Sequence, residues 1–391
     1  MKRVVIVGTG TGAETLTAQA AAAIERADIL LGASRLIEPF SDKPKIAEYA
    51  PERVAELIRG SDASSFAVLV SGDPGFYSAA NGLCEALSEF EPEIMPGISS
   101  LSAFFAKLRR SWQDAALVSC HGRGANLVDT VRRNRLTFAL TGGNAAELAK
   151  RLADCGFAEL TVYVGENLSS ERERVFSTTI GELRSELLSS LTVLLIENPD
   201  RDAARRHGIP DAEFTRGDVP MTKAEVRSVT LSKLALTPGA VCCDIGAGTG
   251  SVTVEMALAA YDGHVYSVEH NPAAVDLIRA NLKKFHIGNA EVRRGKAPDA
   301  LGELPAFDAA FIGGSGGNLR EIIAAVLAKN AKTRIVINAV TLRSANVALD
   351  ALMERGIAPE LVQLSSAKAS ECAGLLIANN PIFIISGQQE M

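Results

Sequence analysis

The amino-acid sequence predicts an α/β protein built from two ligand-binding halves. Three observations carry that expectation. Short runs rich in Val, Ile and Leu alternate with longer amphipathic stretches almost from end to end, the pattern of parallel strands joined by crossover helices. A glycine-rich turn follows the first strand of each half, at Gly8 and again at Gly246. Between them, residues 197–208 (ENPDRDAARRHG) are charged and punctuated by Pro and Gly, as domain boundaries are. The expected organisation is one domain over 1–205, a linker over 206–216 and a second domain over 217–391.

The strands follow in order. Val-Val-Ile-Val at 4–7 runs into Gly8, Ile-Leu-Leu-Gly fills 29–32, and Phe-Ala-Val-Leu-Val fills 66–70. A short strand at 93–95 must stop at Pro96-Gly97. Apolar runs at 115–119, 137–140, 161–164 and 192–196 complete the first half. The second half offers 241–244, 264–269, 291–294, 308–312, 333–338, 360–364 and 381–385. Each is short and bounded by turn residues, as strands buried on both faces are.

Composition narrows the function classes. A chain of 391 residues exceeds what one hydrophobic core usually serves. With 47% apolar and 22% charged residues spread evenly, no segment has the profile of a disordered chain. A net charge of -6 disfavours nucleic acid as a partner, since phosphate binding relies on clustered Lys and Arg. Cys84, Cys120, Cys155, Cys242, Cys243 and Cys372 include no Cys-x-x-Cys and no His at ligand spacing, so they read as small buried hydrophobes and no metal is expected. The apolar run near the N-terminus has four residues, too short for a signal peptide or a membrane span, so a cytoplasmic location with no membrane partner is expected.

In the second half, strand 241–244 runs into Asp244-Ile245-Gly246-Ala247-Gly248-Thr249-Gly250. Glycines there let a backbone approach a ligand at the carboxyl end of a strand, where open α/β sheets bind cofactors. A dinucleotide fingerprint G-x-G-x-x-G/A would place its third small residue at Ser251; the spacing is instead G-x-G-x-G, which methyltransferases of this architecture use. Glu269 ends the next strand, about 20 residues on, where an acid accepts hydrogen bonds from ribose hydroxyls. These residues alone leave a nicotinamide cofactor open beside S-adenosylmethionine.

Further segments resemble a known family. Asp218-Val219-Pro220-Met221-Thr222-Lys223-Ala224-Glu225-Val226-Arg227, Gly295-Lys296-Ala297-Pro298-Asp299-Ala300-Leu301, Phe311-Ile312-Gly313-Gly314-Ser315-Gly316-Gly317 and Ile337-Asn338-Ala339-Val340-Thr341-Leu342 resemble the decarboxylating precorrin methyltransferase family. The resemblance implies an S-adenosylmethionine cleft lined by Gly246, Gly248, Gly250, Glu269, Ala297 and Gly313 and closed by Met221 and Thr222. Lys223 and Arg227, four apart on one helix face, can grip carboxylate arms of a tetrapyrrole substrate. A plainer reading stands beside it: Thr222 and Glu225 form a capping box and the two cations face solvent. Asn338 can hydrogen-bond the substrate or merely satisfy a strand end.

In the first half, Gly8, Gly10 and Ala13 superficially satisfy the dinucleotide pattern, but Asp28 precedes the second strand and so lies at the wrong sheet edge for a ribose. The turn instead resembles the tetrapyrrole methylase family, which clasps S-adenosylmethionine between two α/β lobes, here about 1–110 and 111–205. Four segments support it in order: Ser71-Gly72-Asp73-Pro74-Gly75-Phe76-Tyr77-Ser78, Met95-Pro96-Gly97-Ile98-Ser99-Ser100, Leu140-Thr141-Gly142-Gly143-Asn144 and Val164-Gly165-Glu166-Asn167. Gly8, Gly10, Gly72, Asp73, Pro74, Ser99, Ser100 and Thr141 are the expected cofactor residues. Ser119-Cys120-His121-Gly122-Arg123 resembles the branch acting on carbon 5 of precorrin-6, with His121 and Arg123 as candidate substrate residues. Thr11 stands where many relatives have proline, which is expected to loosen the turn. The resemblance implies two S-adenosylmethionine sites, a corrin-pathway tetrapyrrole as substrate, and a homo-oligomer. A methyltransferase on another small molecule and a non-catalytic cofactor-binding regulator stay open.

Overall fold

Strands buried on both faces need helices on each side. The computed structural model, which describes residues 2–121, 126–183, 187–204, 207–369 and 374–389, meets that need in three large sheets. The chain divides into two compact units. One comprises Met1–Arg123, Asn134–Lys150 and Glu159–Pro199; the other comprises Gly124–Arg133, Arg151–Ala158 and Asp200–Met391.

In the first unit, β1 (Arg3–Gly8), β2 (Ile29–Gly32), β3 (Lys45–Ala47), β4 (Ser65–Val70) and β5 (Glu93–Met95) form a parallel sheet in the order β3-β2-β4-β1-β5. Alternate residues feed two cores. Val4, Ile6 and Val68 pack with Val54, Ile58 and Leu83, while Val5, Val7 and Leu69 pack with Ala20 and Ile24. That alternation explains why these strands read as continuous apolar runs. Asp28 sits before β2, its carboxylate accepting from Ser64 N and Ser65 N at 3.0 and 2.8 Å. Hydrogen bonds from Ser65 and Ser64 hold that carboxyl down to about 2.

A second sheet of the same unit contains β6 (Ala115–Ser119), β7 (Leu136–Leu140), β8 (Thr161–Glu166), β9 (Arg174–Thr179) and β10 (Thr192–Glu197) in the order β6-β7-β10-β8-β9. Here the expected parallel pairing is corrected. β6 and β7 run parallel, but β10 is antiparallel to both β7 and β8, and β8 is antiparallel to β9. A hairpin with Asn167 and Ser169 at φ 46° and 58° joins β8 to β9, so no crossover helix is needed there.

The second unit carries β11 (Val241–Ile245), β12 (His264–Glu269), β13 (Ala290–Arg294), β14 (Ala309–Ile312), β15 (Arg334–Ala339), β16 (Glu360–Leu364) and β19 (Ile382–Gly387) in the order β13-β12-β11-β14-β15-β19-β16. β17 (Ala367–Ala369) and β18 (Leu376–Ala378) pair as a separate hairpin. Five strands are parallel, and β19 runs antiparallel between β15 and β16. The order reverses at β11, flanked by β12 and β14, which makes its carboxyl end the place where a crevice opens. Cys242 and Cys243 point to opposite buried faces, as expected of small hydrophobes, and burial pushes the Cys242 thiol up to about 12. Cys372 lies outside the described residues.

The stretch expected as a linker, 206–216, is tied to the second unit. Ile209 and Phe214 are buried in a core of the second unit, and Glu255 accepts hydrogen bonds from Gly208 N and Ile209 N at 2.8 and 2.9 Å. Its charge signalled exposure, but these apolar side chains anchor it. Among the described residues no helix is long and apolar enough to cross a membrane.

Candidate functional site

Each unit holds a large cavity at the carboxyl ends of its strands. In the first unit, the turns after β1, β4 and β5 converge. A Cβ on Gly8 would lie 2.6 Å from Pro74 Cδ, 2.7 Å from Gly97 N and 2.8 Å from Gly72 O, so only glycine permits this approach. Gly10 and Gly72, both at positive φ, form a two-way bridge, with Gly10 N donating to Gly72 O at 3.2 Å and Gly72 N to Gly10 O at 2.9 Å. Asp73 ties the turns together, accepting from Gly75 N at 2.8 Å and Gly97 N at 3.1 Å.

The cavity over this knot measures about 670 Å³ and is lined by Gly72, Asp73, Ser99, Ser100, Thr141 and His121. Gly8, Gly10 and Pro74 stand outside its lining, so their expected cofactor contact becomes support for the turns that do line it. Ser99 caps the helix Ser100–Leu108 by accepting from Ser102 N. Thr141 is buried and donates to Thr192 O at 2.7 Å. Arg123 lies outside the described residues. The expectation about Thr11 is also corrected: its amide donates to Thr15 Oγ1 at 2.8 Å and its hydroxyl meets Ser169 Oγ at 2.7 Å, so the turn is fastened without proline. Arg35 and Tyr49 line the same cavity and went unnoticed in the sequence, where nothing marks them; Tyr77 lines it too, quoted there within the segment 71–78 but given no role.

In the second unit, Gly246, Gly248 and Gly250 all have positive φ, between 57° and 78°. A Cβ on Gly246 would meet Gly314 O at 2.5 Å, and one on Gly248 would meet Pro220 O at 2.8 Å. These near-contacts bring the turns after β11 and β14 together and draw in the segment before helix Ala224–Leu234. Glu269, nearly buried at the end of β12, accepts from His270 N, Asn271 N and Gly248 N at 2.8, 2.9 and 3.0 Å. The resulting cavity of about 540 Å³ is lined by Met221, Thr222, Gly246, Gly248, Glu269, Ala297, Gly313 and Asn338. The Asn338 side chain pairs with the Thr230 hydroxyl at 3.1 Å.

Three expected residues are placed elsewhere. Gly250 is outside the lining; its missing side chain makes room for Ile278, 3.0 Å from an added Cβ. Arg227 is fully buried, bonded through Nε to Glu255 and through Nη1 and Nη2 to Thr222 O and Ile209 O. That set of partners satisfies the guanidinium inside the unit and removes it from substrate binding. Lys223 is likewise outside the lining, with Nζ 3.7 Å from Asp211. The capping-box reading fails too: Lys223 is the N-cap, without a side-chain cap bond, and Glu225 pairs with Lys368 at 2.8 Å.

One buried group carries no mark in the sequence. Asp244 Oδ2 accepts from Thr253 Oγ1 at 2.5 Å, while Oδ1 has no hydrogen-bond partner. Burial raises its pKa to about 7, and the Glu269 charge adds to that rise.

Comparisons with known proteins agree with the two-part layout. A family model for tetrapyrrole (corrin/porphyrin) methylases matches residues 3–184, and one for a precorrin methyltransferase domain matches residues 213–384. A precorrin-6Y C(5,15)-methyltransferase [decarboxylating] of Sinorhizobium sp is 34% identical over 83% of this chain and 79% of its own length. A protein of Pyrobaculum calidifontis described as a probable cobalt-precorrin-6B C(15)-methyltransferase (decarboxylating) is 45% identical over 46% of this chain and 94% of its own. The crystal structure of a precorrin-6Y C5,15-methyltransferase from Geobacter metallireducens is 40% identical, covering 46% of this chain and 97% of that one, with a TM-score of 0.45. Taken with the two glycine-floored cavities, the match to the Sinorhizobium enzyme over most of both chains shows that this chain belongs to the precorrin-6Y C(5,15)-methyltransferase (decarboxylating) family, whose members are S-adenosylmethionine-dependent C-methyltransferases.

Proposed function

We propose that the chain methylates precorrin-6 at carbons 5 and 15 in corrin biosynthesis and releases the ring C acetate as carbon dioxide, with one S-adenosylmethionine site in each domain. The observation that carries this reading is the second cavity: a backbone floor closed to any Cβ at Gly246, with the Glu269 carboxylate in its lining. Such a floor suits close approach of a methionine moiety, and a carboxylate there suits a ribose diol.

When bound, S-adenosylmethionine supplies an already activated methyl group, so the chain chiefly has to align and shield. In the second cavity, Gly246, Gly248, Glu269, Ala297 and Gly313 hold the cofactor and Met221 and Thr222 cover it, while Asn338 faces the substrate. Gly72, Asp73, Ser99, Ser100 and Thr141 hold it in the first, where His121 is in the lining on the substrate side, and the resemblance gives Arg123 a substrate role as well. Domain limits of 1–205 and 217–391, a cytoplasmic location and assembly into a homo-oligomer belong to the same reading.

Incubating the full chain with labelled S-adenosylmethionine and precorrin-6, read by mass, tests it. Two added methyl groups and one lost carbon dioxide are expected. Cofactor uptake without product would mark a regulator instead, and no uptake at all would remove the proposal.

A further inference from the structure

The first cavity has a second wall, distinct from the glycine turns. Tyr49 and Tyr77 line it with 67% and 52% of their surface exposed. Large aromatic rings left open on a cavity wall are characteristic of a surface that receives a partner. Both are held in place by local structure. Tyr77 adopts φ 47°, a left-handed conformation rare for a bulky residue, and its hydroxyl donates to Leu117 O at 3.2 Å while Phe76 meets its ring edge-on. Tyr49 follows Glu48, whose carboxylate accepts from Tyr49 N and Ala50 N at 2.8 and 2.9 Å. Two separate loops thus bring Tyr49 and Tyr77 to the wall of one cavity.

Arg35, on the turn of helix Ser34–Ile37, completes the wall. It is exposed and has no ion pair among the described residues, unlike Arg3, Arg53 and Arg59 of the same unit, which pair with Glu93, Glu56 and Glu89. Asp73, the acid in the lining, makes no ion pair with Arg35 and accepts instead from the amides of Gly75 and Gly97. The cation is therefore available to an anion from outside.

We infer that Arg35, Tyr49 and Tyr77 are the substrate wall of the first cavity: the two rings pack against a tetrapyrrole macrocycle and the guanidinium takes one of its peripheral carboxylates. This rests on the reading of that cavity as a tetrapyrrole methylation site and adds the residues that select a large, carboxylate-bearing ring. Aromatic side chains offer broad apolar contact to such a ring, and a guanidinium binds a carboxylate by paired hydrogen bonds.

The test uses the full chain, with S-adenosylhomocysteine followed by calorimetry and uroporphyrin, an octacarboxylic macrocycle, followed by fluorescence at saturating S-adenosylhomocysteine. Arg35→Gln and Tyr49→Ala, both at exposed positions that leave the fold intact, should each weaken uroporphyrin binding about tenfold. S-adenosylhomocysteine affinity should stay within about twofold, and Arg35→Lys should recover part of the loss, more at low salt than at high. Uroporphyrin binding equal in wild type and both variants overturns the inference, as does a wild type that takes S-adenosylhomocysteine but no uroporphyrin. A calorimetric stoichiometry of one, abolished by Glu269→Ala, would instead remove the cofactor site from the first cavity and the wall with it.

Discussion

Arg227 shows why spacing on a helix cannot assign a charged residue to a ligand. Its i, i+4 relation to Lys223 is real, yet Lys223 sits at the N-cap and Arg227 points inward to Glu255, which is itself fully buried. Removing one member of such a pair leaves a desolvated charge, at a cost of about 3–5 kcal/mol. Arg227→Met is therefore expected to lower stability by about that amount in denaturant unfolding, whereas retained stability with a raised substrate KM would restore it to the binding site. Asp244 gives a pH signature of opposite origin. Its folded carboxyl titrates at about 7 against an ordinary value of 3.8, so the folded state binds the proton more tightly than the unfolded chain. Stability then declines as pH rises from the unfolded value through about 7 and levels off above, by on the order of 4 kcal/mol at 1.36 kcal/mol per tenfold change in proton affinity. Asp244→Asn keeps an acceptor for Thr253 and should flatten that decline; a melting profile between pH 4 and 8 as steep as in the wild type would show that another group titrates.

The strands themselves were legible as short apolar runs bounded by turn residues, most plainly β1, β4, β10 and β14, which are buried along almost their whole length. Fifteen sequence segments correspond to strands β1, β2, β4 to β8, β10 to β16 and β19, with ends shifted by a residue or two. The elements that escaped lack that signal. Lys45–Ala47 has three residues, Arg174–Thr179 mixes apolar with polar side chains at half-exposed positions, and Ala367–Ala369 and Leu376–Ala378 are exposed throughout. Strand direction was illegible for a different reason: β10 is as apolar as any parallel strand, and its antiparallel pairing is set by the hairpin beside it. Turns carried more information than helices. Gly246 combines φ 73° with backbone of Gly314 at 2.5 Å from an added Cβ, so Gly246→Ala is both strained, by about 1–2 kcal/mol, and obstructed. The variant should lose S-adenosylhomocysteine binding in the second unit by tenfold or more with the first unaffected, seen as one calorimetric site in place of two.

For the whole molecule, the two halves were legible as separate units because the first strand of each runs into glycines, and each has its own cavity. Independence has a direct test. Glu269→Ala should abolish methyl transfer at carbon 15 and spare carbon 5; loss of both would contradict separate sites. The floors of the cavities were readable because glycine and a tight turn are sequence-local. Their walls were not: Arg35 and Tyr49 join Ser99 and Thr141 around one space only after the chain has folded. The meeting of Gly8, Gly72 and Gly97 bears on how this scaffold diversifies. At Gly8 and Gly97 any larger residue collides with a neighbouring peptide, and at Gly72 it is strained at φ 69°, so the floor leaves mutation almost nothing to alter. New substrate preferences must therefore arise on the rim, where side chains can be exchanged without disturbing the turns beneath.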